Sequence, residues 1–147
     1  NDEVEFKEII NYGEFQEYLN IAKEGWNDLF NYDKYASSLS KLFTRQPDGV
    51  NPRHVVGYIG SKAVCSATIS VYYGYAHIIN ISVLKEYRRK GVASELIKYA
   101  SKVVEKENLD DIFVCIDRID KPGTELLKSL GFETEVELIM YTKENAD

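Results

Sequence analysis

The chain has 147 residues, 44% hydrophobic and 29% charged, which suits one domain with a single core and excludes an acidic disordered segment. Eighteen Lys and Arg against twenty-four Asp and Glu give a formal charge of −6, which argues against a protein that coats nucleic acid by neutralising phosphates. No apolar run approaches the roughly 18 residues a membrane helix needs, and a soluble, cytoplasmic protein is expected, forming one domain over residues 1–147.

The N-terminus, NDEVEFKEII, lacks the basic-then-apolar pattern of a secretory leader, and it opens on Asn rather than Met, as a processed or trimmed chain or an excised domain would. EVEFKEI, residues 3–9, alternates apolar and charged side chains as a half-buried strand does. From Tyr12 to Trp26, Phe15, Tyr18, Leu19, Ala22 and Trp26 recur at helical spacing. A weaker helical pattern covers residues 33–43, and QPDGVNP from Gln46 is a loop by composition. Residues 54–83 then turn rich in β-branched and aromatic side chains, with turns at Gly60-Ser61 and at Gly74, which predicts three consecutive antiparallel strands. Val92, Leu96, Ile97, Ala100, Val103 and Val104 form one apolar stripe, the clearest helix in the chain. DIFVCID from Asp111 reads as a strand inside the sheet because it is nearly continuously apolar. Asp120 is placed as an N-cap with Pro122 in the first turn, Gly131 closes that helix, and VELIMYT, residues 136–142, is a final strand. The order is β-α-α-β-β-β-α-β-α-β: an α/β (α+β) fold with a mixed, mostly antiparallel central sheet flanked by helices. Cys65 and Cys115 both lie in apolar runs, so two free buried thiols are expected, with no disulfide framework and no metal site. His54, at a strand start beside a loop, is expected on the surface.

Charge is unevenly placed. Residues 51–100 carry seven basic and two acidic side chains, a net of +5, while the remainder is net −11. Lys85, Arg88, Arg89 and Lys90 fall within six positions, between the strand NISV and the clearest helix. The unpaired N–H groups and aligned dipoles of a helix start make an anion site. Arg88-Arg89-Lys90-Gly91-Val92-Ala93 stands at that junction, with Gly91 free to take a left-handed conformation and Ala93 and Ser94 keeping the helix start uncluttered. The spacing is neither that of a nucleotide P-loop nor that of a dinucleotide fingerprint. A diphosphate fits, and a solvated basic loop is the alternative.

V-L-K-E-Y-R-R-K-G-V-A, residues 83–93, resembles the [RQ]-x-x-G-x-[GA] segment of the GNAT superfamily of N-acetyltransferases, and L-L-K-S-L-G-F-E, residues 126–133, resembles a later family element in order and spacing. The resemblance covers nearly the whole chain. It implies a GNAT-like fold, acetyl-CoA as cosubstrate, and acetyl transfer by direct attack of a primary amine of a small molecule or peptide on the thioester. From charge and hydropathy no nucleic-acid or membrane partner is expected, and the chain is expected as a monomer or homodimer. The loop Arg88, Arg89, Lys90, Gly91, Val92, Ala93 and Ser94 would hold the pyrophosphate, Val83 the pantetheine arm, and the Ile81 amide the developing oxyanion. Some members carry a catalytic carboxylate four residues before the Ile81 position; here His77 stands there, with a pKa suited to a general base and a plain strand histidine as the alternative. Asn80, Asp117 and Glu14 are lesser base candidates. One departure concerns the acid that protonates the leaving thiolate: Leu127 replaces the tyrosine of many members, and Asp120 replaces their asparagine. Tyr72, Tyr73 or Tyr75 could approach from the meander instead. Trp26, Phe30, Tyr32, Tyr35 and Tyr72 with Glu24, Asp28 and Asp33 would give an aromatic, acidic acceptor side suited to a cationic amine. A catalytically silent acyl-CoA-binding regulatory module is the alternative function.

Overall fold

A computed structural model describes residues 3–26, 51–116 and 120–134, with 136, 137, 139 and 143. The expected helix over 33–43 lies outside the described residues, as does most of the expected strand 136–142. The chain divides into two units, Asn1–Ile116 and Asp117–Asp147.

The first unit holds β1 (Glu5–Glu8), α1 (Tyr12–Trp26), β2 (Asn51–Ile59), β3 (Lys62–Tyr72), β4 (Tyr75–Val83), a single 3₁₀ turn (Lys85–Tyr87), α2 (Val92–Lys106) and β5 (Asp111–Val114). The sheet runs β1-β2-β3-β4-β5, antiparallel throughout except for the parallel β4–β5 pair. This is the mixed, mostly antiparallel sheet that the strand patterns predict.

The two sheet faces are assigned by cross-strand partners. Phe6, Gly57, Cys65 and Val83 stand opposite one another across four strands, and Phe6 stacks on Tyr99 of α2 with ring centroids 5.0 Å apart. That row therefore faces α2, whose Val92, Leu96, Ile97 and Ala100 are buried; each such aliphatic side chain contributes about 1.5–3 kcal/mol on burial. Gly57 is required in the row, because a Cβ there would stand 2.5 Å from Cys65 Sγ and 2.9 Å from a Phe6 ring carbon. The opposite face takes α1, whose Phe15, Tyr18, Leu19 and Ile21 pack with Ile9, Val56 and Leu84. At the start of α1, Asn11 Oδ1 accepts the Glu14 N–H at 2.9 Å and Glu14 Oε2 accepts the Ile10 N–H at 2.8 Å, a reciprocal cap.

Four expectations are corrected. β2 begins at Asn51 rather than His54, and it takes Pro52 into the ladder opposite Ser70 at a place where β1, which reaches only Val55–Tyr58, makes no demand for its missing N–H. His54 is 3% exposed: it pairs with Thr68 on the α1 face, where Nδ1 lies 2.8 Å from Thr68 Oγ1 and the ring packs against Phe15 and Tyr18. Tyr18 Oη meets the same Thr68 hydroxyl at 2.7 Å. β5 is an edge strand among the described residues; its side chains alternate, with Asp111 and Phe113 outward and Phe113 43% exposed, so the apolar run does not mark a strand covered on both faces. Cys115 is free and exposed, whereas Cys65 is free and buried.

In the second unit, α3 (Lys121–Ser129) starts as expected: Asp120 accepts the Gly123 N–H at 2.9 Å and Pro122 sits in the first turn. Leu130 is the C-cap and Gly131, at φ 90°, follows it, with the Phe132 N–H returning to the Leu127 carbonyl at 3.0 Å.

Candidate functional site

β4 carries two irregularities that regular pairing would not produce. The parallel ladder to β5 runs from Tyr75 to Ile78 and closes with the Cys115 N–H on the Ile78 carbonyl at 3.2 Å; β4 then continues beside β3 to Val83. Within that continuation the register shifts: Ser66 faces Ser82 and Thr68 faces Ile79, so the single residue Ala67 stands against Asn80 and Ile81. This is a β-bulge, and Asn80 takes it up at φ 59°, a conformation Asn tolerates better than most residues. A bulge re-aims the backbone groups beside it, and the Ile81 amide is one of them.

After β4 the chain makes the Lys85–Tyr87 turn and enters the loop Arg88 to Gly91. Arg89 and Gly91 are both left-handed, at φ 63° and 83°, and Gly91 is the N-cap of α2. The N–H groups of Val92, Ala93 and Ser94 precede the first intrahelical bond, Glu95 N–H to Gly91 carbonyl at 3.0 Å, and the N-cap residue Gly91 has no side chain to cap them. These N–H groups are left outside the helical ladder, as at any helix start, and point along the helix dipole. Arg88 does different work from its neighbours: Nε donates to the Val83 carbonyl at 3.0 Å and a terminal nitrogen donates to the Gly25 carbonyl at 2.9 Å. It ties the loop to the ends of β4 and α1. Lys62, at the start of β3, joins the basic cluster unannounced by sequence, because it lies 23 residues upstream of Lys85. Lys62 and Lys90 both place Nζ over the Tyr87 ring, at 5.0 and 5.4 Å, and Lys62 also pairs with Glu86 at 3.0 Å.

His77 lies on β4 between Ser70 and Phe113, two residues before Ile79 and hence on the same face as Thr68 and α1. It is half-buried, and burial pushes its imidazole below the ordinary histidine range, so the ring is neutral at pH 7. Its Nε2 lies 3.0 Å from Cys115 Sγ. Sequence reasoning missed this partner because it assigned Cys115 to the interior of the sheet; the pairing of His77 with Phe113, two residues before Cys115, is the register that brings the two together.

Among the other sequence candidates, Glu14, Tyr73 and Tyr75 are described in the first unit, each with other surroundings. Glu14 is committed to the start of α1. Tyr73 is exposed at the hairpin turn, and Tyr75 is exposed against Phe113 with centroids 5.6 Å apart. Asp117, Phe30, Tyr32, Tyr35, Asp28, Asp33 and the side chains of Trp26 and Tyr72 lie outside the described residues. Leu127 is half-buried in α3 of the second unit. Among the described residues, no three His, Cys, Asp or Glu side chains cluster to hold a metal ion, and no helix is long and apolar enough to cross a membrane.

Comparison with known proteins gives one consistent family. An N-alpha-acetyltransferase of Sulfurisphaera tokodaii is 29% identical over 105 residues, which is 68% of this chain and 60% of that protein; the chain therefore spans less than two thirds of that relative's length. Among solved structures, an aminoglycoside acetyltransferase from an uncultured soil metagenomic sample, in complex with sisomicin, superposes with TM-score 0.75 at 18% identity, over 96% of this chain and 97% of the other. An aminoglycoside N-acetyltransferase in complex with CoA gives TM-score 0.71 at 17% identity, over 97% and 96% of the two chains. These two likenesses are of fold. Residues 13–132 match the Acetyltransferase (GNAT) family, a span that contains the β4 bulge, the anion loop and α3, and the chain belongs to that family.

Proposed function

We propose that this chain is an acetyl-CoA-dependent N-acetyltransferase that moves an acetyl group to a primary amine of a small molecule or peptide by direct attack on the thioester. The observation that carries the reading is the meeting, within about a dozen residues, of a bulge beside the Ile81 amide and a helix start whose N-cap, Gly91, carries no side chain. The diphosphate would lie on the N–H groups of Val92, Ala93 and Ser94, with Arg89 and Lys90 supplying positive charge and Arg88 holding the loop in place. Val83 would line the pantetheine path. The Ile81 amide would donate to the carbonyl oxygen as it gains charge, an interaction worth about 3–4 kcal/mol in the transition state.

A protonated amine has no lone pair, so attack needs a base. His77, neutral at pH 7 because burial disfavours its charged form, would take the proton directly or through one water. The leaving thiol is of the same kind as a free cysteine's, whose pKa is about 8.5, so its thiolate departs tolerably at neutral pH without the tyrosine that Leu127 replaces. For the acceptor, the N-alpha-acetyltransferase relative favours a peptide N-terminus, and the acidic excess outside residues 51–100 favours a cationic amine.

The test is thiol release from acetyl-CoA in the presence of peptide N-termini, lysine, polyamines and amino sugars. Turnover with at least one class, lost at least 100-fold in His77→Gln, is expected. A thermal shift with acetyl-CoA but no turnover with any amine establishes instead a silent coenzyme-binding module, for which the Leu127 substitution is the supporting feature.

A further inference from the structure

Direct transfer leaves one reactive side chain at the site unused. Cys115 follows β5 at the point where its ladder to β4 ends, its thiol is exposed, and its Sγ is 3.0 Å from His77 Nε2. A nucleophile and a base within hydrogen-bond reach, on two different strands, is the arrangement of covalent acyl transfer. Because the Cys115 N–H bonds the Ile78 carbonyl, Cys115 stands beside Ile79 on the parallel strand, and Ile81 follows two residues on, across the Asn80 bulge. A thioester carbon held by the Ile81 amide would stand past the same end of the β4–β5 ladder as Cys115.

We propose that Cys115 is an acyl-accepting nucleophile, with His77 as its base, and that the protein takes the acetyl group of acetyl-CoA onto Cys115 when no amine is present to receive it. The inference rests on the acetyl-CoA reading above. In the step, the Cys115 thiol gives its proton to His77 Nε2 and Sγ bonds to the acetyl carbon. The bond from that carbon to the coenzyme sulfur breaks, and the departing thiolate recovers the proton from His77. One thioester replaces another, with no oxidant or reductant. Cys65 has no such role: it is fully buried, and burial pushes its thiol up to about 12, so it serves as an internal control.

The experiment is intact-protein mass spectrometry of the full chain after incubation with acetyl-CoA and no amine, followed by peptide mapping. One acetyl group per chain is expected on Cys115, removable by neutral hydroxylamine as a thioester is, absent from Cys65 and absent in Cys115→Ala. His77→Gln is expected to slow its appearance about 100-fold. An acetyl group found only on lysine, or none at all while acetyl-CoA still raises the melting temperature and amines still release thiol, overturns the inference and leaves the proposed function standing. If acetyl-CoA gives no thermal shift, the proposed function fails, and p-nitrophenyl acetate, which needs no coenzyme site, decides the Cys115–His77 pair. Acylation of Cys115 that is no faster in the native chain than in His77→Gln overturns it; acylation at least tenfold faster upholds it.

Discussion

Gly25 is the second-last residue of α1, and a methyl group added there meets the end of β4. Its Cβ would stand 1.8 Å from Ser82 Oγ, 3.1 Å from Ser82 Cβ and 3.6 Å from the Val83 nitrogen. In Gly25→Ala the Ser82 hydroxyl has to rotate away. That rotation breaks its hydrogen bond to the Ile21 carbonyl, 3.1 Å long, and strands a buried hydroxyl at a cost of about 1–3 kcal/mol. Rotation leaves the 3.1 Å contact with Ser82 Cβ in place, so α1 also has to withdraw by a few tenths of an ångström. Alanine's better helix propensity returns at most about 1 kcal/mol, and less so near a helix end. The net loss is about 2 kcal/mol, or about 6 °C in melting temperature for a chain of this size. Urea unfolding followed by circular dichroism at pH 7 measures it. Adding Ser82→Ala removes the 1.8 Å contact, and the double variant is expected to recover more than half the loss. The Gly25 carbonyl also holds Arg88, so Gly25→Ala should raise the KM for acetyl-CoA several-fold. A single variant as stable as the native chain, or a double variant no better than the single, refutes the claim that α1 seats on β4 through the missing Cβ.

Further outcomes follow from the same contacts. His54 titrates at about 4 in the folded chain against about 6.5 when unfolded, so between those pH values the unfolded state holds more protons. Its contribution is complete above pH 6.5 and falls with pH by up to about 3 kcal/mol by pH 4; His54→Gln should flatten that part of the stability profile, measured by urea midpoints from pH 7 to 4. Gly91→Ala puts a Cβ at φ 83°, at a cost of about 1–2 kcal/mol, and should weaken the acetyl-CoA thermal shift while leaving the free protein folded. Asn11→Ala should destabilise by about 1 kcal/mol through the lost cap, whereas Glu14→Gln should leave kcat within twofold, because Glu14 serves the helix start and not the chemistry.

Where one physical signal dominated, the sequence was legible. The limits of α1, Tyr12 and Trp26, follow from a 3.6-residue stripe, and Asp120 and Gly131 act through cap chemistry that works within four residues. The loop from Arg88 to Gly91 and the helix start after it were legible for the same local reason. Features set by pairing were not. The β4 bulge at Asn80 and Ile81 depends on how β3 registers against β4, which no residue type in NISV announces. His54 is polar and lies near a loop, and the Thr68 hydroxyl opposite it, with Phe15 and Tyr18 above, helps make its burial tolerable. Cys115 looked apolar by its neighbours, yet the strand alternation just before it leaves Phe113 exposed as well. Arg88 was assigned to the loop correctly but its partners, two carbonyls 5 and 63 residues away, could not be read from spacing.

Those two carbonyls have a consequence for how this protein can change over time. A guanidinium bound to backbone oxygens depends on the path of the backbone and not on the side-chain chemistry at positions 25 and 83, so the tie between α1, β4 and the loop demands no matched pair of side chains there. Val83 can drift among residues that fit the α2 face with the tie intact. Position 25 cannot, because the constraint there is the absence of a side chain. The junction is therefore constrained asymmetrically, held on one side by a residue that is long and charged and on the other by one without a side chain.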